Sequence, residues 1–181
     1  MAAAKQIEIG GRTFKKSEKM IFFEGIPLDD ISPIAQLTKL TSLALTRCPK
    51  LSDISPLAKC KKVNELVLDG SNVSDITPLA ALRDLHTLGI SNTPVADLSP
   101  LAGMRQLSYL FIDGTRVTDL SPLRTAPLLG LLDLAGTPVT DISVLHDHPA
   151  LRSINLANTS ISEASIEAFA VAKPDCKIIR R

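Results

Sequence analysis

The chain has no tryptophan, a single tyrosine and five phenylalanines. A surface that stacks successive bases needs aromatic platforms, so single-stranded nucleic acid is not an expected ligand. A basic surplus is missing too: 20 Lys and Arg stand against 19 Asp and Glu, a net charge of +1. That balance excludes a dedicated duplex binder. No run approaches the length of about 18 apolar residues that a membrane-spanning helix needs, so no membrane partner is expected. The opening Met1-Ala-Ala-Ala-Lys-Gln leads into no apolar signal core, which makes the cytoplasm the expected compartment. Cysteine is scarce: Cys48, Cys60 and Cys176 form no C-x-x-C pair, and their columns in the pattern below make them reduced core residues. Catalytic motifs are absent as well, with no glycine-rich phosphate loop and no nucleophile elbow. The histidines are His86, His146 and His148. His146-Asp147-His148 is a weak metal motif, better explained as a polar turn. The reading is therefore a non-enzyme with no catalytic residue, no metal and no cofactor.

What the chain has in abundance is period. Between Val73 and Leu123 it writes V-x-D-[IL]-[ST]-P-L three times, with acids at Asp75, Asp97 and Asp119. Extending the series gives Asp30, Asp53, Asp141 and Glu163, with successive spacings of 23, 22, 22, 22, 22 and 22 residues. A fixed period of that size is the mark of a solenoid. Within each unit two apolar residues sit two apart, such as Leu88 with Ile90 or Leu110 with Ile112, and so share one face of a short strand. A turn column follows: Cys48, Ser71, Thr93, Thr115, Thr137 and Thr159, short polar groups expected to bond neighbouring main-chain amides. The Ser or Thr before each proline reads as an N-cap, and the proline as the first helical residue. Only five to eight residues then remain before the next strand, enough for one helical or 3-10 turn.

These columns resemble the leucine-rich repeat family, and within it the 22-residue, internalin-like subclass. The likeness covers about residues 20–175, and several columns repeat in phase. The sixth unit departs from it, with Val144 in place of proline and His148 where Leu37, Cys60, Leu82, Met104 and Ala126 stand. The resemblance implies an α/β solenoid: an open leucine-rich repeat arc with a parallel sheet on the concave face and short 3-10 or helical turns on the convex face. Residues 1–19, with Gly10-Gly11 between two β-prone runs, form an expected hairpin cap over the open edge of the first repeat. Residues 20–162 hold six to seven repeats. Residues 163–181 form a second cap, a helix with Ile166, Phe169 and Ala170 at core spacing and Ser162 or Ser165 as its cap, closed by Pro174 and a last strand.

Strand residues that alternate with the inward leucines face the concave surface. Among those 21 positions are five carboxylates and no Lys or Arg. Tyr109, Phe111 and Leu131 fall together across two neighbouring strands, Glu65 and Val67 lie further along, and Asp69, Asp113 and Asp133 surround them. Apolar groups rimmed by one sign of charge suit protein recognition. The expected partner is a protein with a basic surface, and the expected state of the chain is a monomer. Two functional classes stay open: an interaction module, including an inhibitor or toxin-immunity protein, and a structural or adhesive array within a larger assembly. Caps at both ends favour the first.

Overall fold

Short strands of alternating pattern, each followed by a proline-bearing turn, coil the chain into a right-stacked ladder of repeats. The computed structural model describes residues 6–181. Met1 to Lys5 of the expected first cap lie outside the described residues. A hairpin comes first, β1 (Gln6–Ile9) and β2 (Arg12–Lys15). Then follow β3 (Met20–Glu24), β4 (Ser42–Thr46), β5 (Glu65–Val67), β6 (Thr87–Gly89), β7 (Tyr109–Phe111), β8 (Leu131–Asp133) and β9 (Ser153–Asn155). Helix α1 (Glu163–Ala172) and β10 (Lys177–Ile179) complete the chain. Strands β3 to β10 make one eight-stranded sheet in chain order, every neighbouring pair parallel. The register is the sequence period itself: Leu66 pairs with Leu88, Leu88 with Leu110, and Leu110 with Leu132.

The inward columns form one continuous core, in which Leu66, Leu88, Leu110, Leu132 and Ile154 are fully buried. Short 3-10 turns bring the chain back to the next strand, for example Ser55–Lys59, Thr77–Ala81 and Ser121–Thr125, each carrying a proline at its start. Strands about 4.8 Å apart leave no room for a full α-helix about 10 Å across on every repeat, so the narrow turn is the one that fits. Only after the last repeat does the pressure lift, and there α1 forms. Ser162 caps it by accepting from the Ser165 N–H, while Ile166 and Phe169 enter the core. Ala170 is exposed, which corrects its expected core position.

Two cap assignments change. The Ser or Thr before proline is the first residue of its 3-10 turn, and its side chain caps nothing. The repeated aspartate two residues earlier does the capping. Its carboxylate accepts the main-chain N–H of Ser32, Ser55, Thr77, Ser99, Ser121 or Ser143 at 2.7–2.8 Å. A carboxylate is the stronger acceptor, and a spacing of two closes this turn without strain. The turn hydroxyls also act in the opposite sense from that expected. Thr93, Thr115 and Thr137 donate at 2.6 Å to the carbonyls of Ile90, Ile112 and Leu134. The amides of Thr115 and Thr137 already bond those same oxygens, so the spare carbonyl lone pair, not a free N–H, is what the hydroxyl finds.

The hairpin makes a two-stranded sheet of its own and does not extend the main one. It packs on the end of the core through Phe14, whose ring meets that of Phe23 at 5.8 Å, edge to face. Arg12 sits over both rings and donates to the Phe22 carbonyl of edge strand β3 at 2.8 Å. A cation on an open strand edge is a common guard against unwanted pairing.

Candidate interaction surface

Register sets the surface. Because Tyr109 pairs with Leu131 and Phe111 with Asp133, the four side chains stand in a square on the outer face of β7 and β8. Tyr109 is exposed, and Phe111, Leu131 and Val67 are half-buried. Val67 is separated from Phe111 by Gly89, so that row has a notch in it. The notch is filled from the side: a Cβ on Gly89 would lie 2.9 Å from Asp69 Oδ1.

The carboxylates expected here divide into two kinds. Glu65 is exposed, and its side chain makes no hydrogen bond or ion pair among the described residues. Asp69, Asp113 and Asp133 are half-buried and tied to neighbouring repeats. Asp69 accepts the Ser91 N–H at 2.8 Å, and Asp113 accepts the Ser91 hydroxyl. Asp133 holds the Ala135 N–H at 3.0 Å and the Asn155 amide, also at 3.0 Å. None of these donors is a cation, so the charge of these three acids stays uncompensated, whereas Glu24 at the edge of the face is paired with Arg47. Burial pushes the Asp69 carboxyl above its ordinary value; the Ser91 N–H opposes this and the nearby Asp113 charge adds to it.

Two residues that the sequence pattern did not single out join the square. The His86 ring lies 5.1 Å from that of Tyr109, tilted by 56°. Leu128 is 49% exposed on a turn whose equivalents in neighbouring repeats are Lys62, Asp84 and Gln106. A large apolar residue in a column that is polar in the three preceding repeats, with Ala150 in the one that follows, was the available signal.

The histidine pair at the last repeat does not converge. His148 is only 3% exposed, and neither of its ring nitrogens makes a hydrogen bond. The His146 ring instead faces Phe169 of α1 at 5.9 Å. Among the described residues no three His, Cys, Asp or Glu side chains are grouped to hold a metal ion. No helix among them is long and apolar enough to cross a membrane. The three cysteines are free and buried, and burial pushes the Cys60 thiol up to about 11.

Titration of these groups gives a two-step acid response. Burial holds the His148 imidazole below its ordinary value; the nearby Lys173 charge adds to this, and the carbonyls of Ala126 and Leu123 oppose it. The unfolded chain therefore takes up a proton before the folded one does, and stability falls as pH drops below about 6.5. The turn aspartates act lower. Hydroxyl and main-chain donors of Thr77 and Ser99 hold Asp75 and Asp97 below the ordinary carboxylate value. The Ser32, Ser121 and Ser143 residues do the same for Asp30, Asp119 and Asp141. Their contribution is present above about pH 4 and lost as pH falls through the folded values. Asp69 runs the other way, costing stability as it ionises. We expect His148→Leu, which restores the leucine of the equivalent positions Leu37 and Leu82, to flatten the melting temperature between about pH 5 and 7. The lower step should persist. A wild-type melting curve already flat over that interval would show that His148 is not the group responsible.

No protein-family model matches the sequence, and no curated protein matches it. Solved structures do. An internalin (inlF) of Listeria monocytogenes superposes with a TM-score of 0.85 at 29% identity, over 92% of this chain and 49% of that one. Internalin C2 of the same organism gives 0.65 at 35% identity, over 75% of this chain and 56% of its own. A leucine-rich repeat protein of Leptospira interrogans gives 0.71 at 18% identity, over 80% and 38%, a likeness of fold alone. The chain spans about half the length of the internalins it matches.

Proposed function

The chain is an internalin-like leucine-rich repeat protein, and from that premise we propose that it is a protein-interaction module whose concave sheet binds a protein with a basic surface. The observation that carries this reading is the square of Tyr109, Leu131, Phe111 and Asp133, set among carboxylates that no cation neutralises. Eight strands about 4.8 Å apart give a face roughly 34 Å long, ample for the ~800 Å² that a standard interface takes from each partner. On this reading the aromatic residues set the lifetime of the complex, and the acids set the rate at which a basic partner arrives. The chain acts as a monomer in this proposal. Blocking the partner's own site, as an inhibitor or immunity protein does, is the form of action that a wide, single-signed face suits best.

The test uses a partner captured from native lysate by the immobilised protein and then purified. Phe111→Ala or Tyr109→Ala is expected to weaken binding by about 1–4 kcal/mol, chiefly through faster dissociation. Glu65→Lys, chosen because Glu65 has no structural bond to lose, is expected to slow association most at low salt. Unchanged kinetics for all three variants would sink the concave-face assignment.

A further inference from the structure

The net charge of +1 conceals a division of charge between the two lips of the sheet. Main-chain bonds stack the residues that precede the strands: His86 N–H to Asn64, Ser108 to His86, Gly130 to Ser108 and Arg152 to Gly130. This ladder brings the turns at the strand N-terminal ends into one line. Along it stand Lys39, Lys61, Lys62, Arg83, Arg105 and Arg152, all exposed, with Asp84 as the acid among them. None takes part in an ion pair; among the described residues the ion pairs are Arg47 with Glu24 and Arg180 with Glu163. Past the strand C-terminal ends stands the ladder of turn aspartates, with Arg47, Lys50 and Arg116 among them. Lys39, Lys61 with Lys62, Arg83 and Arg105 mark four successive repeats as a basic strip; the next repeat presents Leu128 in place of a cation, and Arg152 stands one repeat beyond it.

At one end of that strip lies a groove of about 430 Å³. Tyr109, Leu128 and Leu131 supply its apolar walls, with His86 and Arg152 at its borders. Tyr109 is 43% exposed and Leu128 is 49% exposed, two large apolar side chains open to solvent beside cations.

We propose that this lip is a second docking site, which takes an extended acidic segment of a partner protein with an apolar side chain seated in the groove. The site goes beyond the concave-face reading, because it selects the opposite charge and runs along the rim, although its groove shares Tyr109 and Leu131 with that face. From Lys61 to Arg152 the strip crosses four repeat steps, about 19 Å, which an extended chain of about six residues matches. The acidic residues lie along Lys61, Arg83 and Arg105, and the apolar residue follows at Leu128. An apolar anchor beside charged contacts favours protein over nucleic acid, since the groove offers a pocket and not a series of stacking platforms.

A random dodecapeptide library displayed on phage and selected on the immobilised full chain tests the proposal. Enriched peptides are expected to carry several Asp or Glu and a Leu, Ile, Phe or Met to one side of them. A synthetic copy should lose affinity about tenfold between low and physiological salt. Arg83→Glu with Arg105→Glu should weaken it at least about tenfold, and Leu128→Ser should do so only while the peptide keeps its apolar residue. Phe111→Ala, on the concave face, should leave peptide binding unchanged. Each variant's circular dichroism melt establishes that it folds. Enrichment of basic peptides, failure to enrich any, or indifference to the lip variants would overturn the proposal. Tighter binding of oligouridylate to the same lip would overturn it in favour of nucleic acid. Loss of binding in Phe111→Ala alone would reject the lip while leaving the concave-face reading standing.

Discussion

Leu110→Ala is expected to cost about 2–5 kcal/mol, the range for deleting a leucine side chain from a site that cannot collapse. Leu110 is fully buried, and in the register its strand stands between those of Leu88 and Leu132. A repeat touches only its neighbours, so a cavity here weakens both interfaces of β7 at once. At roughly 2–4 °C per kcal/mol for a chain of this size, the melting temperature should drop by about 4–20 °C. Hydrogen exchange should then show the loss centred on β6, β7 and β8, with protection at the capped ends falling less. A near-wild-type melt would mean that the inward register is misplaced by one residue, since such a slip turns Leu110 to solvent.

Gly114→Ala is expected to be the second large loss, about 1–2 kcal/mol, set by the backbone conformation that the position requires. The third residue past each of β5 to β9 adopts a left-handed conformation: Gly70, Asn92, Gly114, Gly136 and Asn158 all have positive φ, with Gly114 at 67°. An alanine there meets the left-handed penalty of about 1–2 kcal/mol. A Cβ would also lie 2.5 Å from the Asn92 side-chain oxygen, which can swing aside at the cost of a long, exposed contact with Asp113 and so adds little. Arg47 occupies the same column with φ 52°, and it gives a control of opposite sign. Arg47→Gly relieves the strain and loses only an exposed ion pair with Glu24, worth about 0–1 kcal/mol. Its melting temperature should equal or exceed that of the wild type. If Gly114→Ala is harmless while Arg47→Gly destabilises, the left-handed column does not have the role assigned to it.

The period, the strand columns and the buried leucines were legible because each repeat states the same local constraints. Leu88, Leu110 and Leu132 had to share a face, and the proline-bearing turn could only be short. The aspartate was visible as a column, but the capping was assigned to the Ser or Thr that in fact donates its N–H to it. That error is itself local: Asp75 reaches the Thr77 N–H two residues on, and either residue of such a pair can be read as the cap. The left-handed column was spelled by glycine and asparagine and became clear only with its backbone angles. What tertiary structure alone decided runs across the repeats, perpendicular to the chain. Asp69 and Asp113 bond Ser91, and Asp133 bonds Asn155, each 22 residues away, so three acids expected to face a partner are structural links as well. His86, Tyr109, Leu128 and Arg152 meet because stacking at strand spacing lays different positions of successive turns beside one another. Composition sums charge over the whole chain, whereas the solenoid sorts it, column by column, onto opposite lips of one sheet.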